Sequence, residues 1–208
     1  MPLIEPLDEG ALEPELREAF GFFHTTLGGI PNSIRTMARR PEIARAYLAL
    51  NIAVMEDYGA VTPEFKRLLG YAASFASGCL YCQAHMILAS ERFNASAERL
   101  EDVFNFEDSV HFSEAEKAAL GFAHGAAAVP NGVDDALGTR LRQHWDDDAV
   151  VEIMSVVALF GWLNRWNDSM GTALEELPLS RGEQRLRDAT GWDAGKHRIP
   201  EVFIPALL

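Results

Sequence analysis

An all-α fold is predicted by three features of the sequence. Apolar residues recur at helical spacing in nearly every segment, helix start signals open those segments, and sustained strand-type alternation is absent. In "TPEFKRLLGYAASFAS", Thr62 is placed to cap a helix with Pro63 at its first position. Phe65, Leu68, Leu69 and Ala72 then form one buried stripe. Ser77-Gly78 should end that helix, because glycine lets the backbone turn out. A second helix is expected from about Cys79 to Arg92, with Leu80, Ala84, Ile87 and Leu88 on its apolar face. Ser113 and Glu116 have the spacing of a capping box opening "SEAEKAALGFAHGAAA". Asp146, Asp147 and Asp148 put negative charge at the start of a helix carrying Val150 to Trp166, where the dipole favours it. That helix is apolar nearly all round in its middle, which places it in the core or at a subunit interface. The segment to about Pro14 and the tail "HRIPEVFIPALL" should be extended, the apolar tail docking on the core or on a neighbouring subunit.

An internal echo joins two of these helices. "TPEFKRLLGYA" from Thr62 and "SEAEKAALGFA" from Ser113 share their Lys, Leu, Gly and Ala positions. Duplication of a helix-turn-helix unit would explain this, and so would convergence of short helical segments. The second copy carries no cysteine.

A chain of 208 residues, 24% charged and 48% hydrophobic, can bury a core as a single domain over residues 1–208. Its formal net charge of −13 repels phosphate backbones and anionic lipid surfaces, arguing against nucleic acid and membrane as partners. "MPLIEPLDEGALEPELREAF" lacks the basic and apolar regions of a signal peptide. The most apolar run, Ile153 to Asn164, falls short of the roughly 20 residues that span a bilayer. A cytoplasmic protein is expected. There thiols stay reduced, so a close cysteine pair points to catalysis or metal binding rather than a structural bridge.

The only cysteines, Cys79 and Cys82, lie in "SGCLYCQAHM" with His85 just behind. This spacing at a helix start brings two sulfurs within bonding distance near the positive end of the dipole, which lowers thiol pKa. A thiolate so formed can open the O–O bond of a hydroperoxide and become a sulfenic acid, which a second thiol converts to a disulfide. An external dithiol would then restore the pair, with no cofactor or metal. Two buried hydrophobes are the bland alternative. A zinc site would have three of its usual four ligands in Cys79, Cys82 and His85. Covalent haem attachment is excluded by Gln83, which stands where it needs His.

Three blocks in order resemble the carboxymuconolactone decarboxylase and alkylhydroperoxidase D superfamily, in its longer peroxidase-related branch. They are "GGIPNSIRTMARRPEIARAYLAL", "ASGCLYCQAHM" and "AVVEIMSVVALFGWLNRWNDSMG". The resemblance implies an alkylhydroperoxidase D-like helical fold, a homo-oligomer, and a thiol peroxidase with antioxidant, peroxiredoxin-type activity. It makes Cys82 the peroxidatic residue and Cys79 the resolving one, whereas the helix dipole alone would activate Cys79.

Three positions depart from the pattern. The family's proton-relay Glu, twelve residues before the first Cys, is Arg67 here; Glu64, one turn earlier on the same face, is the candidate substitute. The His usually before the second Cys is Tyr81, whose phenol could only donate a hydrogen bond. The downstream His comes three residues after Cys82 rather than four. At about 100° per residue, His85 is rotated roughly 60° from Cys82 and 120° from Cys79, so it can neighbour Cys82, as base or thiolate stabiliser, without bridging both. The expected catalytic set is Cys79, Cys82, His85 and Glu64, acting on a hydroperoxide and recharged by a thiol reductant. The alternatives are a lyase of the decarboxylase branch, holding substrate carboxylates with Arg67 or Arg165, and a non-enzymatic redox-sensitive thiol protein.

Overall fold

The computed structural model describes residues 2–199, and among these no strand occurs. The fold is all-α, as its helical periodicity predicted. Short helices α1 (Pro14–Ala19), α2 (Phe23–Thr26) and α3 (Asn32–Met37) lead into α4 (Pro41–Met55). The central hairpin is α5 (Pro63–Ala76) and α6 (Leu80–Arg92). After α7 (Ala97–Asp102) come α8 (Glu114–Ala127), α9 (Asp135–Arg142) and the long α10 (Asp147–Met170), followed by α11 (Glu176–Arg185) and α12 (Arg187–Thr190). α5 sits at the centre, packed on α6, α8 and α10, while α10 also touches α4 and α6, and α11 covers α6. The buried apolar side chains form one continuous cluster.

Local chemistry sets the ends of these helices. The Thr62 hydroxyl accepts from Phe65 N–H at 3.2 Å, leaving Pro63 where a missing N–H costs nothing. Ser113 and Glu116 satisfy each other's backbone N–H groups, and Asp146 accepts from Ala149 N–H. Between α5 and α6, Gly78 takes φ +71°, and its N–H donates to the Phe75 carbonyl while Cys79 N–H donates to that of Ser74. This left-handed turn closes α5 and hands the chain directly to α6.

The packing of α5 on α10 is tight at Gly70. A Cβ there would lie 2.6 Å from the Phe160 ring, so Gly70→Ala is expected to cost about 1–3 kcal/mol. The apolar run Ile153 to Asn164 sits within a helix that is, by length and composition, long and apolar enough to cross a bilayer, unlike the run alone. Here the inner face of α10, with Ile153, Val156, Val157 and Phe160, is buried in the core. Its outer face exposes Val151, Met154 and Trp162.

The echo between the two helix pairs extends to element order but not to length. α8 matches α5 at 14 residues, yet α9 has eight residues against thirteen in α6, and the loop over residues 128–134 replaces the tight turn. The N-terminal segment runs over the surface, with Leu3 N–H on the Met170 carbonyl and Leu7 N–H on that of Arg35. Of the tail, His197 is fully buried and its carbonyl accepts from Leu174 N–H, so the tail's start docks on the core. The remainder, residues 200–208, lies outside the described residues.

Candidate active site

The turn at Gly78 makes Cys79 the N-cap of α6, with its Sγ accepting from Cys82 N–H at 3.5 Å. Both cysteines are free thiols. They differ in what they face. Cys79 is fully enclosed, whereas Cys82 lines an apolar cavity of about 500 Å³ together with Tyr47, Arg67, His85, Phe160 and Asn167. Asn167, reaching in from α10, donates from Nδ2 to Cys82 Sγ at 3.4 Å.

Position at a helix start suggested a lowered thiol pKa for at least one of the pair, with the dipole alone favouring Cys79; at Cys82 the direction is upward. Burial pushes this thiol well above its ordinary value and the adjacent Cys79 sulfur pushes the same way, against the Asn167 amide. Desolvation of a thiolate in an apolar wall outweighs the dipole of one helix. The resting form of Cys82 is therefore the thiol, and its reactivity requires a proton acceptor. Tyr47, whose phenol pKa is raised chiefly by burial, is a further neighbour.

His85 does not point both nitrogens at the cysteines. Its Nδ1 faces the Tyr81 carbonyl at 3.0 Å, one turn back on α6, and its Nε2 lies 2.9 Å from Glu175 Oε2. The latter is a close contact rather than a well-aligned hydrogen bond. The ring stacks on Tyr81 with centroids 4.2 Å apart. Cys79, Cys82 and His85 thus do not converge as metal ligands, and among the described residues no three His, Cys, Asp or Glu side chains form such a group. Tyr81 donates from its phenol to Glu175 Oε1 at 3.0 Å, and Asn32 N–H donates to the same oxygen. Burial tends to raise the Glu175 carboxyl, but the His85 charge and these donors bring it below the usual range. His85 also forms the wall to a second cavity, lined by Asn32, Arg35 and Glu175.

Glu64 is not brought to this site. Its carboxylate is held by Arg99, with contacts of 2.9 and 3.1 Å, outside the cavity lining. The acid that pairs with His85 is instead Glu175, the residue before α11. Sequence reasoning missed it because "LEELP" reads as ordinary first-turn acids. It also passed over Asn167 near the end of the apolar helix, where Asn164, Arg165 and Asp168 are its polar neighbours. Asn164 is buried on the Ala73 carbonyl, Arg165 is exposed, and Asp168 pairs with Lys196. Two asparagines three residues apart, Asn164 and Asn167, on the inner face of an apolar helix were the available signal. His197 packs with its ring centroid 5.9 Å from that of Tyr81.

The carboxymuconolactone decarboxylase family profile matches residues 41–125, the segment that carries α4, the dithiol hairpin and most of α8. The debrominase Bmp8 is 30% identical with a TM-score of 0.79, over 88% of this chain and 97% of that one. This chain belongs to the carboxymuconolactone decarboxylase/alkylhydroperoxidase D-like superfamily. A C82A form of Bmp8 in complex with 2,3,4-tribromopyrrole is also similar, at 28% identity and a TM-score of 0.81. An uncharacterized peroxidase-related protein from Ralstonia eutropha JMP134, with an alkylhydroperoxidase AhpD core, shares the fold at 24% identity and a TM-score of 0.71 over 84% of this chain and 94% of that one. The uncharacterized protein YnjA of Escherichia coli (strain K12) is 33% identical over 92 residues, which is 44% of this chain and only 50% of YnjA. Within the superfamily, this chain combines an arginine in the cavity wall with a carboxylate supplied from the start of α11.

Proposed function

We propose that this protein is a thiol-dependent peroxidase that reduces organic hydroperoxides at Cys82. The observation that carries this reading is that Cys82, and not Cys79, lines an apolar cavity while a second thiol stands behind it at the helix cap. On losing its proton, Cys82 Sγ attacks one oxygen of the O–O bond. That bond breaks, the alkoxide takes a proton and leaves as alcohol, and Cys82 becomes a sulfenic acid. The Cys79 thiol then attacks the Cys82 sulfur, the S–S bond forms and water leaves. An external dithiol supplies two electrons and two protons to reset the pair. His85, which lines both the cavity and the second opening, and Glu175 beyond it in the second opening provide a route for the proton. A homo-oligomer in a cytoplasmic setting fits the same reading, supported by apolar side chains left exposed on α4 and α10, Leu50, Val151, Met154 and Trp162.

A second reading is favoured by the likeness to Bmp8 over nearly its whole length. Cys82 would attack a bromine of a halogenated ring, the ring carbon would take a proton, and Cys79 would expel bromide as the disulfide forms. Both reactions draw two electrons from one dithiol.

Side-by-side turnover separates them. Wild type and the double variant Cys79→Ser/Cys82→Ser are given cumene hydroperoxide or 2,3,4-tribromopyrrole with dithiothreitol. The expected result is hydroperoxide consumption that the double variant loses. Consumption of the bromopyrrole alone favours the halogen reaction. Consumption of neither removes both, leaving the lyase or the non-enzymatic thiol protein.

A further inference from the structure

Dithiol chemistry makes no use of Arg67, although its side chain shares the cavity with Cys82. The residue is only 8% exposed. Its Nη1 donates to the Met55 and Pro63 carbonyls at 3.1 and 2.7 Å, and its guanidinium lies 3.6 Å over the Phe93 ring. A guanidinium has five N–H donors, and those on Nε and Nη2 meet no acceptor among the described residues. These nitrogens are not sealed in protein, as are Nε of Arg35, Arg181 and Arg185, so they open to the cavity.

No carboxylate of the described residues pairs with Arg67. The other cations of this region are treated differently: Lys66 faces Glu152 at 3.5 Å, and Arg99 is gripped by Glu64 and Glu116. Glu56 and Asp57 also border the cavity, but they are exposed to water and screened. Burial pushes Arg67 down to about 10, with no acid raising it, yet it stays cationic at neutral pH. A buried, uncompensated charge is costly to the free protein, and an anionic ligand group would offset that cost.

The rest of the wall sets the ligand's shape. Cys82, His85, Met86 and Ala89 follow one another along α6 to Phe93 at its C-cap, and the eleven residue steps from Cys82 to Phe93 span roughly 16 Å of helix axis at ~1.5 Å per residue. Ile34, Ile52 and Leu163 make the intervening surface apolar. We propose that the cavity takes an elongated apolar substrate with a terminal carboxylate, Arg67 holding the carboxylate through Nε and Nη2 while the other part of the molecule lies at Cys82. Combined with the peroxidase reading, on which this extension rests, the substrate class is the hydroperoxide of a medium- to long-chain carboxylic acid.

Titration calorimetry with unreactive probes tests the acid site apart from the chemistry. Dodecanoate and dodecanol are titrated into reduced wild type, Arg67→Gln and Arg67→Lys. Wild type should bind the acid about 10- to 100-fold more tightly than the alcohol, the range for hydrogen bonds between charged groups. Arg67→Gln should lose that preference and Arg67→Lys keep part of it. If Arg67→Gln fails to fold, the acid–alcohol comparison in wild type still decides. Equal binding of the two probes by wild type, or a preference that survives in Arg67→Gln, overturns the proposal. Arg67-dependent acid binding without peroxide turnover leaves the acid site standing and removes the peroxidase reading. Turnover of cumene hydroperoxide without acid preference does the reverse.

Discussion

Cys82→Ser is expected to lower hydroperoxide turnover by at least about 10³-fold, the scale on which enzymes lose activity with their nucleophile. Cys79→Ser should behave differently. It keeps the sulfur that faces the cavity, so the first oxidation proceeds and the cycle halts at a sulfenic acid on Cys82. Stopped-flow mixing with hydroperoxide, followed by trapping with a sulfenic-acid reagent and mass spectrometry, distinguishes the two variants. The expected adduct is on Cys82 in Cys79→Ser, with none on Cys79 in Cys82→Ser. The converse pattern would restore the choice made by the helix dipole alone. Cys79 is fully enclosed and its Sγ is taken by Cys82 N–H, which argues against that outcome.

Glu175→Gln is expected to have the largest effect on stability among single changes at the site. The carboxylate ties the start of α11 to two other helices, through Asn32 N–H at α3 and through Tyr81 and His85 on α6. Its side chain is about a quarter exposed (26%), so solvent moderates the loss. About 1–3 kcal/mol is expected, against the 3–5 kcal/mol typical of breaking a fully buried pair. For a chain of this size that lowers Tm by roughly 2–12 °C. The pH dependence has a definite sign. Glu175 has a folded-state pKa below its unfolded value, so its contribution is present above the unfolded pKa of about 4.3 and is lost as pH falls through the folded one. Thermal unfolding of wild type and Glu175→Gln should therefore differ at pH 7 and converge in strong acid. A difference that persists undiminished at pH 2 would mean that the effect is packing rather than charge.

Much of the scaffold was legible in the residues themselves. Thr62-Pro63, Ser77-Gly78, Ser113 with Glu116, and Asp146 each act through their own few neighbours, so local chemistry was enough to place the ends of the helices. The dithiol was legible for the same reason, since three residues fix its geometry. The groups that surround it come from far along the chain. Asn167 lies 85 residues from Cys82, and Glu175 lies 94 from Tyr81. Helical periodicity tells which face of α10 is inward but not which residue of α6 it will meet. Glu64 illustrates the same limit: its place on α5 was foreseen, yet Arg99 on α7 captures its carboxylate. The direction of the Cys82 pKa was also beyond sequence, because the depth of burial in the first turn of α6 depends on α10 and the wall of the cavity.

The first measurement is the number of free thiols per chain before and after one equivalent of cumene hydroperoxide, in native and in unfolded protein. The expected result is that both thiols disappear and dithiothreitol restores them, while Cys82→Ser fails to react quickly. Persistence of both thiols, open to labelling only after unfolding, would contradict a redox dithiol and leave Cys79 and Cys82 as packing in the core.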